Sequence, residues 1–133
     1  MMFTARQIKE AYAKVKSGAD YPGYVQELRA LGVARYDYVV ENGNNVFYGD
    51  NGFSLKVENQ HDHLKVAGRS SKEKLQGAIS MHQRGQTDFK AFCRQAADAG
   101  VEKWVSDLEQ MQVLYYDKAG MLLLSEPIPT GNY

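Results

Sequence analysis

The chain is poor in what would staple it, anchor it or give it a net charge. Cys93 is the one cysteine among 133 residues, so no disulfide can close within the chain, and a reducing, cytoplasmic setting is expected. No apolar run approaches the length of about 20 residues that crosses a bilayer. The opening Met1-Met2-Phe3-Thr4-Ala5-Arg6 has no apolar signal stretch behind a basic start. Neither sign of charge dominates, since 16 Lys and Arg offset 16 Asp and Glu. Without a concentrated basic field there is no general attraction to nucleic acid or to an anionic membrane surface.

What the chain does have is periodicity. Thr4 with Gln7 reads as a capping box, and Ile8, Ala11, Tyr12 and Val15 then follow helical spacing. Tyr21, Tyr24, Val25 and Leu28 repeat that spacing up to the stop at Gly32. Ser70 with Glu73 opens a third helix with Leu75, Ala78, Ile79 and His82 on its face. Thr87 or Asp88 opens a fourth, with Phe89, Phe92, Cys93 and Ala96 on its face and Gly100 as its stop. Extended runs follow each helix pair: Val33 to Glu41, Val46 to Tyr48 and Phe53 to Val57, then Val101 to Leu108, Val113 to Tyr116 and Met121 to Ser125.

The two halves also match residue by residue. At an offset of 68, Asp20-Tyr21 falls on Asp88-Phe89, Tyr24 on Phe92, Gly32-Val33 on Gly100-Val101, and Arg35-Tyr36 on Lys103-Trp104. Val46-Phe47-Tyr48 then falls on Leu114-Tyr115-Tyr116, Gly52 on Gly120, and Glu58 on Glu126. The fold expected is α+β: one domain of two degenerate ααβββ repeats, about 1–66 and 67–133, forming one largely antiparallel sheet covered by four helices. Because Leu122, Leu123 and Leu124 make the last strand apolar on both faces, it is expected well inside the sheet.

Thr87-Asp88-Phe89, Phe92-Cys93, Ala96-Ala97, Gly100-Val101, Lys103-Trp104, Tyr115-Tyr116-Asp117, Gly120 and Glu126-Pro127-Ile128-Pro129 carry a family resemblance. On these residues the chain resembles a small bacterial family of unknown function, often found in prophages, some of whose members carry the label phage envelope protein. The resemblance implies a compact cytoplasmic α+β protein and supplies no activity, cofactor or catalytic residue. No coiled-coil, collagen-like or fibre repeat supports a virion role.

Reactive groups are few. His61-Asp62-His63 is the one cluster with metal-ligand character, since His61 and His63 share a face of an extended segment. A solvated loop or edge is the competing expectation. His82 continues a helical stripe and reads as a core-edge histidine. Cys93 takes the slot of Val25 in the other half and reads as a small hydrophobe, too deep in its helix for an activated thiol. Asp20 and Asp88 read as helix caps, and Glu58 and Glu126 as charges at strand ends. Gly49-Asp50-Asn51-Gly52 sits between strands and is a turn, not a phosphate loop.

Nine tyrosines are the strongest functional signal. Tyr38, Phe47 and Tyr115 are expected on an aromatic sheet face left free for a ligand, a protein partner or self-association. The leading expectation is therefore a non-enzymatic interaction protein without a cofactor. The alternative is a small-molecule or metal-dependent enzyme with its site in the groove between repeats, where His61, His63 and Glu126 are nearest to hand.

Overall fold

Elements run in the order α1 (Ala5–Tyr12), α2 (Tyr21–Leu31), β1 (Arg35–Val39), β2 (Asn45–Tyr48), β3 (Ser54–Val57), α3 (Lys72–Gln83), α4 (Phe89–Asp98), β4 (Val101–Asp107), β5 (Gln112–Asp117) and β6 (Leu122–Pro127). The structure, a computed structural model, describes residues 3–15, 20–58 and 63–128. Capping chemistry sets three of the helix starts. The Thr4 hydroxyl accepts from the Gln7 N–H at 3.2 Å while Gln7 Oε1 accepts from the Thr4 N–H at 2.9 Å, so the capping box forms. Asp88 caps α4 by accepting from the Ala91 N–H at 2.8 Å. The cap of α3 is Ser71, which accepts from Lys74, and not Ser70. Asp20 stands at the N-cap of α2 as expected, but makes no side-chain cap bond there.

All six strands form one antiparallel sheet in the order β3-β2-β1-β4-β5-β6. The first strand of each triplet meets the other at the centre, and the two hairpins spread outward. The last strand is therefore an edge strand, which corrects its expected central place. Its leucines do not need two covered faces: Leu122 is 51% exposed, while Leu123 and Leu124 pack against the core.

Strand alternation buries Tyr36, Tyr38, Phe47, Trp104, Ser106, Val113 and Tyr115. The helices cover that face with Ile8, Tyr24, Val25, Leu28, Leu75, Ile79, Phe92 and Cys93 in the same core. On the opposite face Arg35 lies 4.3 Å over the Tyr48 ring and Lys103 lies 5.7 Å over Tyr116. Tyr38, Phe47 and Tyr115 are each under 5% exposed, so the aromatic set expected to look outward lies under the helices.

Cys93 matches its expected structural role. It is 2% exposed, its sulfur lies 3.5 Å from the Tyr38 hydroxyl, and burial pushes its thiol up to about 11. At pH 8 only about one molecule in a thousand carries the thiolate that reacts. Native labelling by a thiol reagent is expected to run at least ~100-fold slower than labelling in denaturant. Native and denatured rates within a few-fold of one another would show that α4 does not seal this position.

Candidate functional site

The helix layer and the sheet do not close completely upon each other. A pocket of about 470 Å³ lies between them, with walls from all four helices and from the inner face of the sheet. Its size falls in the range of small-molecule sites, about 300–1,000 Å³. The sheet supplies a floor of Tyr36, Tyr38, Phe47, Trp104, Val113 and Tyr115. The helices supply Ile8 and Tyr12, Tyr21 and Tyr24, Ile79 and His82, and Phe89 and Phe92.

These rings hold one another in place. Trp104 stacks on Tyr38 at 4.4 Å between centroids, Phe89 meets both edge-on, and Phe92 and Tyr115 flank the indole at 5.5 and 6.0 Å. The phenols Tyr12, Tyr21, Tyr24 and Tyr36 come from α1, α2 and β1, while α3, α4 and β4 bring Ile79, His82, Gln83, Phe89, Phe92 and Trp104. The Tyr21 hydroxyl shares hydrogen bonds with Tyr36 at 2.9 Å and Ser106 at 2.7 Å, satisfying three polar groups beneath the helices. Burial raises the pKa of all four of those tyrosines, that of Tyr12 to about 12, so they stay protonated at neutral pH.

Two ionisable groups stand in the wall. His82 stacks on Phe92 at 4.7 Å, and its Nδ1 lies 3.1 Å from the Thr87 carbonyl. Burial lowers its pKa, against the Thr87 carbonyl and Asp88, which act the other way. A neutral ring whose Nδ1–H donates to that carbonyl keeps Nε2 as an acceptor. Glu126 accepts from the Tyr115 hydroxyl at 2.8 Å on one oxygen and from Gln83 Nε2 at 3.0 Å on the other. Burial raises its pKa, and the two donors offset part of that rise.

A one-residue irregularity brings Glu126 here. Tyr116 pairs with Leu122 but Tyr115 pairs with Leu124, so Leu123 is an extra residue in β6. Beyond it the alternation is reversed, and Glu126, opposite the buried Val113, turns to the pocket side. Strict alternation from Leu122 would have aimed it outward.

The expected site residues fare unequally. Tyr38, Phe47 and Tyr115 come together, in the pocket and not on an outer face. His61 lies outside the described residues. His63 is exposed and faces Glu41 at 3.0 Å. No group of three or more His, Cys, Asp and Glu that could hold a metal ion occurs among the described residues. Glu58 is exposed, 4.0 Å from Lys56, at the lip of the same pocket. Trp104, Tyr12, Tyr21 and Gln83 had no functional reading in the sequence; the first three follow apolar or aromatic periodicity, which signals core and pocket wall alike.

Fold and site together define an α+β protein with an aromatic-lined pocket between a helix layer and an antiparallel sheet. The chain belongs to the family described as "Protein of unknown function (DUF1398)", whose model matches residues 9–127. It is also 24% identical over 124 residues to "Uncharacterized protein YcgX" of Escherichia coli (strain K12), a match covering 93% of this chain and 92% of that protein. Both agree with the resemblance to a family of unknown function; a virion or envelope role has no counterpart in either. None of the described helices is long and apolar enough to cross a membrane.

Proposed function

We propose that this protein binds a small, largely apolar organic molecule in the aromatic pocket, and does so without transforming it. The observation that carries the reading is the pocket itself: about 470 Å³ lined by ten aromatic side chains with a few convergent polar groups. Binding rather than turnover is favoured because each reactive group in reach is held by a partner in the wall or buried beneath it. Glu126 holds Tyr115 and Gln83, His82 holds Thr87, and the Cys93 thiol is buried. A protein partner or self-association was expected through Tyr38, Phe47 and Tyr115. With these under the helices, and with Arg35 and Lys103 over the outward Tyr48 and Tyr116, the ligand reading of the same residues has the better support. Prophage origin and cytoplasmic location are expectations on which this reading does not depend.

The pocket also suits a duplicated ααβββ unit, which we infer from strand register. The centre of the sheet maps onto itself at the offset of 68: Tyr36 pairs with Ser106 as Trp104 pairs with Tyr38, and Asp37 faces its own counterpart, Val105. Arg35–Tyr48 corresponds in the same way to Lys103–Tyr116. The extra Leu123 breaks the match, placing Glu126 opposite Val113 as Val57 is opposite Asn45. On this reading the pocket lies across the pseudo-twofold and its two walls are diverged copies.

The uncharged fluorophore N-phenyl-1-naphthylamine is the probe that tests the binding function. A saturable one-to-one rise in emission is expected. Val57 is half-buried in β3 and lines the pocket. Val57→Phe narrows the space and is expected to weaken the probe about tenfold, or ~1.4 kcal/mol, without moving the unfolding transition. Absence of saturable binding, or binding untouched by Val57→Phe in a folded variant, would contradict the proposal.

A further inference from the structure

We propose that the molecule bound in this pocket is an organic cation, an amine or quaternary ammonium group on an aromatic or aliphatic body, and that Glu126 holds its charge. The inference rests on the pocket being a small-molecule site and names the ligand class. Its first support is a carboxylate without a counter-ion among the described residues. The ion pairs among the described residues are Arg6–Glu10, Lys14–Glu27, Lys56–Glu58 and His63–Glu41, and none includes Glu126. A partly buried carboxylate without a cation is costly to keep, and a ligand that brings the missing charge recovers that cost on binding.

The second support is orientation. The Tyr115 hydroxyl and Gln83 take one hydrogen bond on each oxygen of Glu126, fixing the plane of the group. A carboxylate has about four acceptor positions, so each oxygen keeps one for a ligand N–H or for close approach of an alkylammonium. The third support is the surroundings. Tyr115 is also the ring beside Trp104, at 6.0 Å, and Phe92 lies beyond at 5.5 Å from the indole. Aromatic rings attract cations, Trp most strongly, and more so where water is excluded. Lys9, the one lysine on the lining among the described residues, is exposed, and an anionic ligand would have to approach Glu126 and Glu58.

The test uses the full chain at pH 8 and two probes of one shape, benzyltrimethylammonium and its uncharged carbon isostere neopentylbenzene. Each is measured by displacement of N-phenyl-1-naphthylamine. The wild-type protein is expected to prefer the cation at least tenfold. Glu126→Gln keeps the shape of the side chain while removing its charge and turning one accepting oxygen into an N–H donor, and is expected to abolish that preference. Glu10→Gln, at an exposed glutamate paired with Arg6 and outside the pocket lining, is expected to retain the preference. Equal affinity for the two probes in the wild-type protein, or a preference that survives Glu126→Gln, would overturn the cation assignment while the naphthylamine still reports a working pocket. If the naphthylamine itself fails to bind, the pocket reading falls and the cation assignment falls with it. The wild-type comparison decides the matter even if a variant does not fold.

Discussion

Gly100→Ala is expected to destabilise the protein by about 3 kcal/mol or more, which is a large share of the 5–15 kcal/mol that domains typically have. Gly100 follows the last turn of α4 with φ of 86°, in the left-handed region, where a side chain costs roughly 1–2 kcal/mol. The added Cβ would also stand 2.7 Å from the Ser70 Cα and 3.0 Å from the Arg69 carbonyl oxygen. Both are backbone atoms and cannot rotate aside. That backbone is itself held: Ala67 donates to the Ala97 carbonyl at 2.9 Å and Ser71 to the Ala99 carbonyl at 2.8 Å. The segment leading into α3 is thus tied to the end of α4, and this tie fixes the helix pair that walls half the pocket. Gly120→Ala is the comparison, since Gly120 has φ of 79° but open space around its Cβ position. Urea unfolding should show the Gly120 variant losing only the conformational cost, about 1–2 kcal/mol. Equal losses at the two positions would mean that residues 69 and 70 do not pack against the end of α4.

Trp104→Ala is expected to lose about 3–5 kcal/mol, the usual cost of removing a buried indole. Four rings lean on it: Tyr38 by stacking, Phe89 by its edge, and Phe92 and Tyr115 from the sides. Removing it enlarges a space that is already unfilled, so little collapse is available to offset the loss. Trp104→Phe should lose much less, because a smaller ring can keep the stack on Tyr38. A Trp104→Ala variant within about 1 kcal/mol of wild type by urea unfolding would contradict the ring packing described.

Much of the architecture was legible because it rests on local rules. The Thr4–Gln7 box, the Asp88 cap and the glycine stop at Gly32, whose φ is 99°, follow from capping chemistry confined to a few residues. Alternation correctly put Phe47 and Tyr115 on the face opposite to Tyr48 and Tyr116. Which of those faces the helices cover is a question of chain path, and nothing local answers it. The leucine run of β6 misled for a related reason. An apolar strand was read as a doubly covered one, whereas the extra Leu123 divides the run between an inward Leu124 and an exposed Leu122. The same irregularity carries Glu126 to the pocket, and a one-residue shift of that kind has no sequence signature. Helical spacing placed Tyr24, Phe89 and Phe92 on apolar faces, yet whether facing stripes fill the space between them depends on summed side-chain volume and layer separation. A pocket is that shortfall, so its wall reads as core.

The most direct test of the small-molecule pocket uses the indole of Trp104, the chain's one tryptophan. A nitrogen-15-labelled sample gives one indole N–H cross-peak, reporting from the pocket floor. Titration with N-phenyl-1-naphthylamine should shift that peak saturably at one equivalent, while the amides of Met121 and Leu122, exposed by 64% and 51% and outside the pocket lining, stay in place. An indole peak that stays fixed while the Met121 and Leu122 amides move would place binding on the outer surface and contradict the account.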